Sequence, residues 1–368
     1  MMYTGQKVED IVRYIQEYIE SQHLKPGDRL PGENEIAQTL QVSRVTVRRA
    51  LSNLQESNRI YSVHGKGSFV QAPPQLPLAQ TIVPVMLNHD ERSSRILEIL
   101  SSAQQYFYQH DIQTTMSISN RDAAQEKRYI TDYFDRGARC ALVLPVSCTE
   151  NNDFYREIMQ KGMQIVFIDR KPVHMNCHYV GCDNFQGAFD AVWHLIQQGH
   201  RRIGFFTYER PDAVSAVSSR LEGYRVALAK AGIPFDPKLV VCVEEFAGMP
   251  EVNRYFLEVT PSVTAIFCVN DMGAIEISNR MAAAGVKIPG QMAIVGFDNL
   301  SIAQQHYPSL STVDQPFAEI GRQAAELACR LMDGSISIGG HTVTLPVQLI
   351  VRESSACRRD AGAAPLKL

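Results

Sequence analysis

The 368-residue sequence contains no Cys-x-x-Cys pair and no zinc-ligand spacing among its eight cysteines. Several of them sit inside apolar runs, as Cys268 does in AIFCVND. This reads as buried free thiol in a reducing compartment, not as a disulfide frame or a metal centre. The start, MMYTGQKVEDIVRYIQ, lacks the apolar segment of a signal peptide, and no uninterrupted apolar run is long enough to cross a bilayer. These absences point to a cytoplasmic chain with no membrane partner. Gly-x-Ser-x-Gly, His-Glu-x-x-His and the Walker phosphate loop are all missing. Gly65-Lys66-Gly67-Ser68 is too short for the last of these, and His200 in QQGHRRI reads as a packing residue at a helix–strand turn. No catalytic set, metal set or cofactor set emerges, so the chain reads as a non-enzyme. A net charge of only −3 also excludes a general binder of polyanions.

What charge there is lies in one place. Between Val42 and Gly67 stand Arg44, Arg48, Arg49, Arg59 and Lys66 against the single acid Glu56. The same region reads as a helix-turn-helix. Pro31, Glu33 and Glu35 suit a helix start, and Ile36, Ala37 and Leu40 form its apolar stripe. Ser43 can cap a second helix on which Val47, Ala50, Leu51 and Leu54 repeat at core spacing. Arg44, Thr46 and Arg48 then lie at or near the start of a short helix, as a major-groove reader requires. An amphipathic helix with a solvated basic flank is the competing reading. Residues 59–63 and 68–70 read as two strands joined by a Gly-rich, basic tip, which makes a hairpin behind the helix pair. Upstream, Val8, Ile11, Val12, Ile15 and Ile19 supply a first helix.

LKPGDRLPGENEIAQTLQVSRVTVRRALSNL followed by GKGSFV resembles the GntR-type winged helix of bacterial transcription regulators, over about the first 70 residues. The resemblance implies contacts with double-stranded operator DNA from Arg44, Thr46 and Arg48, with His64 and Gly65 at the wing. Ser43, Arg49 and Lys66 complete the candidate set. Asn34 stands where that family often has a DNA-contacting arginine. The expected domains are a winged helix over 1–71, a Pro-rich linker over 72–81, a body over 82–357 and a tail over 358–368.

From residue 82 short apolar runs alternate with helical stretches. Strands are expected at 82–87, 114–118, 141–145, 165–169, 179–183, 202–207, 239–244, 265–270 and 292–298, with helices such as 95–109, 184–198, 218–231 and 272–284. This α/β alternation gives parallel sheets. Nine strands suggest two sheets, hence two lobes with a ligand cleft at the strand ends. VGCDNFQGAFDAVWHLIQQGHRRIGFF, SSRLEGYRVALAKAGI, AIFCVNDMGAIEISNRMAAAGVKIPGQMAIVGFDN and LPVQLIVRESS resemble the effector domain of LacI/GalR regulators, across residues 82–356. That resemblance implies a two-lobed fold shared with periplasmic sugar-binding proteins. It also implies three passages between lobes, near residues 181–184, 310–315 and 334–339. A GntR head on a LacI-like body is similar to the AraR group of arabinose-responsive repressors, which implies a homodimer on a pseudo-palindromic operator and a sugar as effector.

Sugar hydroxyls favour planar, bidentate partners and an aromatic face. Asp169 and Arg170 end one strand, Arg220 matches the family's Arg-x-x-Gly-Tyr position, Asn270 and Asp271 close another strand, and Asp298 ends VGFD. Phe246 offers a ring. His89, Arg92 and Arg95 follow the first strand and would suit a phosphorylated sugar. Competing readings exist: a strand-end Asp such as Asp183 or Asp271 also caps helices, Arg220 has Glu222 and Glu245 as surface partners, and Arg92 and Arg95 suit a solvated face. Trp193 shares a helix face with Ala191, Val192 and Leu195 and reads as packing. The rival function is a soluble solute-binding protein, against which the DNA-reading head argues.

Overall fold

The structure is a computed structural model that describes residues 3–22, 24–56, 59–63, 65–71, 82–87, 94–243, 252, 255–256, 262–336 and 339–356. Three helices form the head: α1 (Tyr3–Ser21), α2 (Glu33–Thr39) and α3 (Arg44–Glu56). Val8, Ile11 and Ile15 of α1 close on Ile36 and Ala37 of α2 and on Val47, Ala50, Leu51 and Leu54 of α3, a single buried cluster. Gln41 takes a left-handed backbone (φ 52°) to reverse the chain between α2 and α3. The Ser43 hydroxyl then accepts from Thr46 N at 3.2 Å, capping α3. The wing is the antiparallel pair β1 (Ile60–Val63) and β2 (Gly67–Val70), in register Ile60 with Val70 and Val63 with Gly67. Arg29 bridges Phe69 as a minimal third strand. Gly65 and Gly67 both have positive φ, which is what a tight tip demands.

The first lobe is built on six parallel strands: β3 (Ile82–Leu87), β4 (Gln113–Ile118), β5 (Cys140–Val143), β6 (Gln164–Ile168), β7 (His178–Cys182) and β13 (Thr342–Leu345). Their order is β13-β7-β6-β5-β3-β4. The second lobe has β8 (Ile203–Thr207), β9 (Val240–Cys242), β10 (Ala265–Cys268) and β11 (Ala293–Val295), ordered β11-β10-β8-β9 and also parallel. β5, β6, β8 and β10 are buried at every residue, which is why they read as unbroken apolar runs: helices cover both faces. Those helices are α4 (Ser94–Tyr108), α5 (Ala123–Asp135), α6 (Asn152–Gln160), α7 (Asn184–Gln197), α8 (Ser215–Lys230), α9 (Asp271–Ala283), the short α10 (Ser301–Gln305) and α11 (Phe317–Met332). A ribbon of β12 (Thr312–Asp314) and β14 (Gln348–Ile350) continues the second lobe beside β11.

Two passages between lobes lie where the sequence suggests, after β7 and after β12. The third does not fall at 334–339. Gly334, at φ 74°, only ends α11. The chain stays in the first lobe as β13, pairing Thr342 with Tyr179 and Leu345 with Cys182, and leaves through Pro346 and Val347. The strand expected at 239–244 shortens to β9, because 237–239 form a 3-10 turn. His200 packs at the α7–β8 turn, its Nδ1 2.9 Å from Thr264 Oγ1. Trp193 is partly buried against the main core, stacked 5.9 Å from Phe189 with the Lys230 ammonium over its ring. The head touches the body where Arg59 Nη2 donates to Met159 O at 3.1 Å, a carbonyl that also accepts from Gly162 N, in the last turn of α6, where the dipole favours a cation.

Candidate DNA-reading face and effector cleft

At about 100° per residue, the face of α3 opposite its buried stripe carries Val45, Arg49 and Ser52, with Arg48 at its margin. Arg44, Val45, Arg48 and Arg49 are exposed, as are Asn34 on α2 and Ser43 at the cap. Gly65 and Lys66 form the exposed wing tip, while His64 lies outside the described residues. The Ser43 and Thr46 hydroxyls are 2.7 Å apart, so both are already engaged in holding the helix start. Arg48 is held by Glu33 of α2, Nη2 to Oε2 at 2.9 Å and Nε to Oε1 at 3.3 Å. That contact keeps the Glu33 carboxyl below its usual range, chiefly through the hydrogen bond from Arg48. Sequence reasoning took Glu33 only as a helix-start residue. It sets the position of the exposed Arg48 guanidinium.

The lobes meet through Arg170 and Glu209, and Arg220 lies nearby within the second lobe. Arg220, on α8, is 6% exposed and bonds to residues other than Glu222, while Glu245 lies outside the described residues. Its Nε donates to Asn184 Oδ1 at 2.7 Å, Nη1 donates to the Val269 carbonyl, and the guanidinium lies 3.7 Å above the Phe297 ring. Asp298 Oδ1 accepts from Gln315 Nε2 at 2.6 Å, and Gln315 Oε1 accepts from the Cys182 thiol at 3.0 Å. Burial pushes that thiol up to about 12; Arg220 opposes the shift, and Asp169, Asp298 and Asp183 add to it. Asp169, Asp298 and Arg220, far apart in sequence, therefore converge around the end of β7. Asn270 caps α9, its Oδ1 accepting from Gly273 N at 2.8 Å, which leaves the two Nδ2 donors outside the cap.

Two candidates take other roles. Asp271 is fully buried, with Oδ2 accepting from Leu300 N at 2.8 Å and Oδ1 from Thr312 Oγ1 at 2.5 Å. Both oxygens brace the lobe interior, and none is offered to a ligand. Burial, then the nearby Asp298 charge, raises its pKa well above the usual carboxylate range. Arg170 donates both terminal nitrogens to Glu209, at 2.9 and 3.0 Å, so its fork joins the lobes instead of opening to the cleft. Neighbouring contacts run the same way: Cys148 N donates to Ala213 O at 3.1 Å and Lys171 N to Ser215 Oγ at 2.9 Å. Asp183 caps α7 through Gln186 N, at 2.9 Å. His89, Arg92 and Phe246 lie outside the described residues, as does the side chain of Arg95. Gln315, Asn184, Phe297 and Glu209 were not singled out from sequence. Asn184 and Gln315 alone had a signal, as polar residues at the ends of expected passages.

A winged helix with an outward basic face, attached to two lobes closed over a polar junction, defines a ligand-responsive DNA-binding regulator. Comparison with known proteins agrees. Residues 7–70 match "Bacterial regulatory proteins, gntR family", and residues 192–355 match "Periplasmic binding protein-like domain". The chain thus joins a GntR-type DNA-binding head to a periplasmic-binding-protein-like body of the LacI type. It is 28% identical over 365 residues to the arabinose metabolism transcriptional repressor of Geobacillus stearothermophilus, covering 95% of this chain and 99% of that one. It is 34% identical over 177 residues to the HTH-type transcriptional repressor CytR of Escherichia coli, spanning 48% of this chain and 51% of the relative. The solved complex of transcriptional regulator CelR with cellobiose shares the fold at 24% identity and a TM-score of 0.68, over 85% of this chain and 92% of the other.

Proposed function

We propose that the protein is a cytoplasmic, homodimeric repressor of sugar uptake or catabolism genes that leaves its operator when a sugar binds between the lobes. The observation that carries this reading is the convergence of Arg220, Asp298 and Asp169 at the lobe junction. These are bidentate groups of the kind that hold adjacent hydroxyls, with the Phe297 ring already stacked on one of them. L-arabinose is the first candidate, since a relative that matches nearly the whole length is an arabinose metabolism repressor. The body acts as a switch and performs no chemistry. Exposed Leu97, Tyr108 and Met116 on the first lobe, with Met272, Ile302 and Tyr307 on the second, supply apolar surface for a dimer. A dimer places two heads at the spacing of two half-sites. No helix among the described residues is long and apolar enough to cross a membrane.

The effector drives release only by binding one lobe arrangement better than the other. Isothermal calorimetry with a panel of pentoses, hexoses and their phosphates tests this. One sugar binds the wild type, and Arg220→Ala weakens it at least tenfold while operator binding persists. Unchanged affinity in Arg220→Ala would place the site elsewhere.

A further inference from the structure

We infer that Val45 reads a thymine methyl group, making it a specificity-determining residue of the DNA-reading helix. Val45 is 77% exposed, yet it sits at the second position of α3, directly opposite the buried stripe. Its neighbours on that outward face are Arg49, one turn further on, and Arg48 at the margin, both exposed. An aliphatic side chain there satisfies nothing within the head: the core is complete beneath it, and the cap is made by Ser43 and Thr46. In a helix a β-branched side chain has one dominant rotamer, so the two methyls of Val45 are presented in a fixed direction. The major groove offers one apolar group among its donors and acceptors, the C5-methyl of thymine. Arginines read guanine or hold phosphate, but neither accounts for an exposed isopropyl group between them. The chemistry of Val45 therefore selects a T·A pair in each half-site.

The test begins with an operator selected in vitro from random duplexes by the full-length wild-type protein. Each thymine of one half-site is then replaced in turn by deoxyuridine, which removes only the methyl. At one position wild-type binding weakens about fourfold, the effect of losing one buried methyl contact. Val45→Ala, a substitution at an exposed site that circular dichroism can show to be folded, loses that penalty and binds thymine and uracil duplexes alike. Val45→Thr, which keeps one methyl, retains part of it. Three results would overturn the inference: a selected half-site with no invariant thymine, no position sensitive to uracil, or an undiminished uracil penalty in Val45→Ala. Failure to select any specific duplex would count instead against the regulator reading as a whole.

Discussion

Arg170 and Glu209 belong to different lobes, and the contact between them is the perturbation from which most can be learned. The two nitrogen–oxygen distances are 2.9 and 3.0 Å, with side chains only 12% and 23% exposed. Opposite charges about 4 Å apart attract by about 4 kcal/mol at an effective dielectric near 20. Withdrawal from water offsets part of this, leaving a net charge-assisted contribution of about 1.5–3 kcal/mol. Glu209 is also held locally, since Thr207 Oγ1 donates to its carbonyl at 2.9 Å, so a substitution there leaves the lobe itself intact. Glu209→Gln keeps the shape and removes the charge. It should shift the balance from closed to open lobes by about 2 kcal/mol, roughly thirtyfold, and raise the apparent Kd of the effector by up to that factor. The reversed pair, Arg170→Glu with Glu209→Arg, should recover part of the affinity. Calorimetry reads the affinity, and small-angle scattering of the free protein reads the opening. Effector binding within twofold of wild type in Glu209→Gln would refute the argument that this pair holds the lobes together.

Burial, then the charges of His341 and Arg59, pushes His178 down to about 3, against an unfolded value near 6.5. Folding therefore requires the neutral ring. Its contribution is full above pH 6.5 and is lost as pH falls toward 3, about 2 kcal/mol between pH 7 and pH 5. Urea denaturation should show a flatter pH profile for His178→Gln, and an equal slope in both proteins would count against it. Asp271→Ala strands the Leu300 N–H and the Thr312 hydroxyl in the lobe interior and should destabilise by about 2–4 kcal/mol; a midpoint shift equivalent to less than 0.5 kcal/mol, on the order of a surface substitution, would contradict the bracing role. Glu33→Gln frees Arg48 and removes a negative charge beside DNA. Fluorescence anisotropy at low salt should show severalfold tighter binding to random-sequence duplex and a reduced preference for the operator, and an unaltered ratio would deny Glu33 its positioning role.

Much of this molecule was legible wherever a local pattern carries the information. The stripe Val47, Ala50, Leu51 and Leu54 is a local periodicity, and β5, β6, β8 and β10 are apolar runs whose two covered faces leave no room for alternation. Arg220 was legible through its motif, although its partners were not: Asn184 is 36 residues away and the Val269 carbonyl 49. Contacts between lobes left no trace in the sequence. Arg170 read as a ligand-holding strand end because Glu209, 39 residues on, becomes its partner only when the lobes close. Asn270 and Asp271 are adjacent polar residues at one strand end, and only the backbone turn decides which caps the helix and which points inward. The passage expected at 334–339 failed for a similar reason. Glycine there signals the end of a helix, and only the pairing of β13 with β7 shows that the chain has not yet left its lobe.

Occupancy of the lobe junction should control the head. The decisive measurement titrates the calorimetrically identified sugar into a complex of the full-length protein with its selected operator, followed by fluorescence anisotropy. A saturating sugar should weaken operator binding at least tenfold in the wild type, a coupling of about 1.4 kcal/mol or more, and have no effect at the same concentration in Arg220→Ala. Operator affinity that is unchanged or strengthened by a sugar bound at that junction would contradict it.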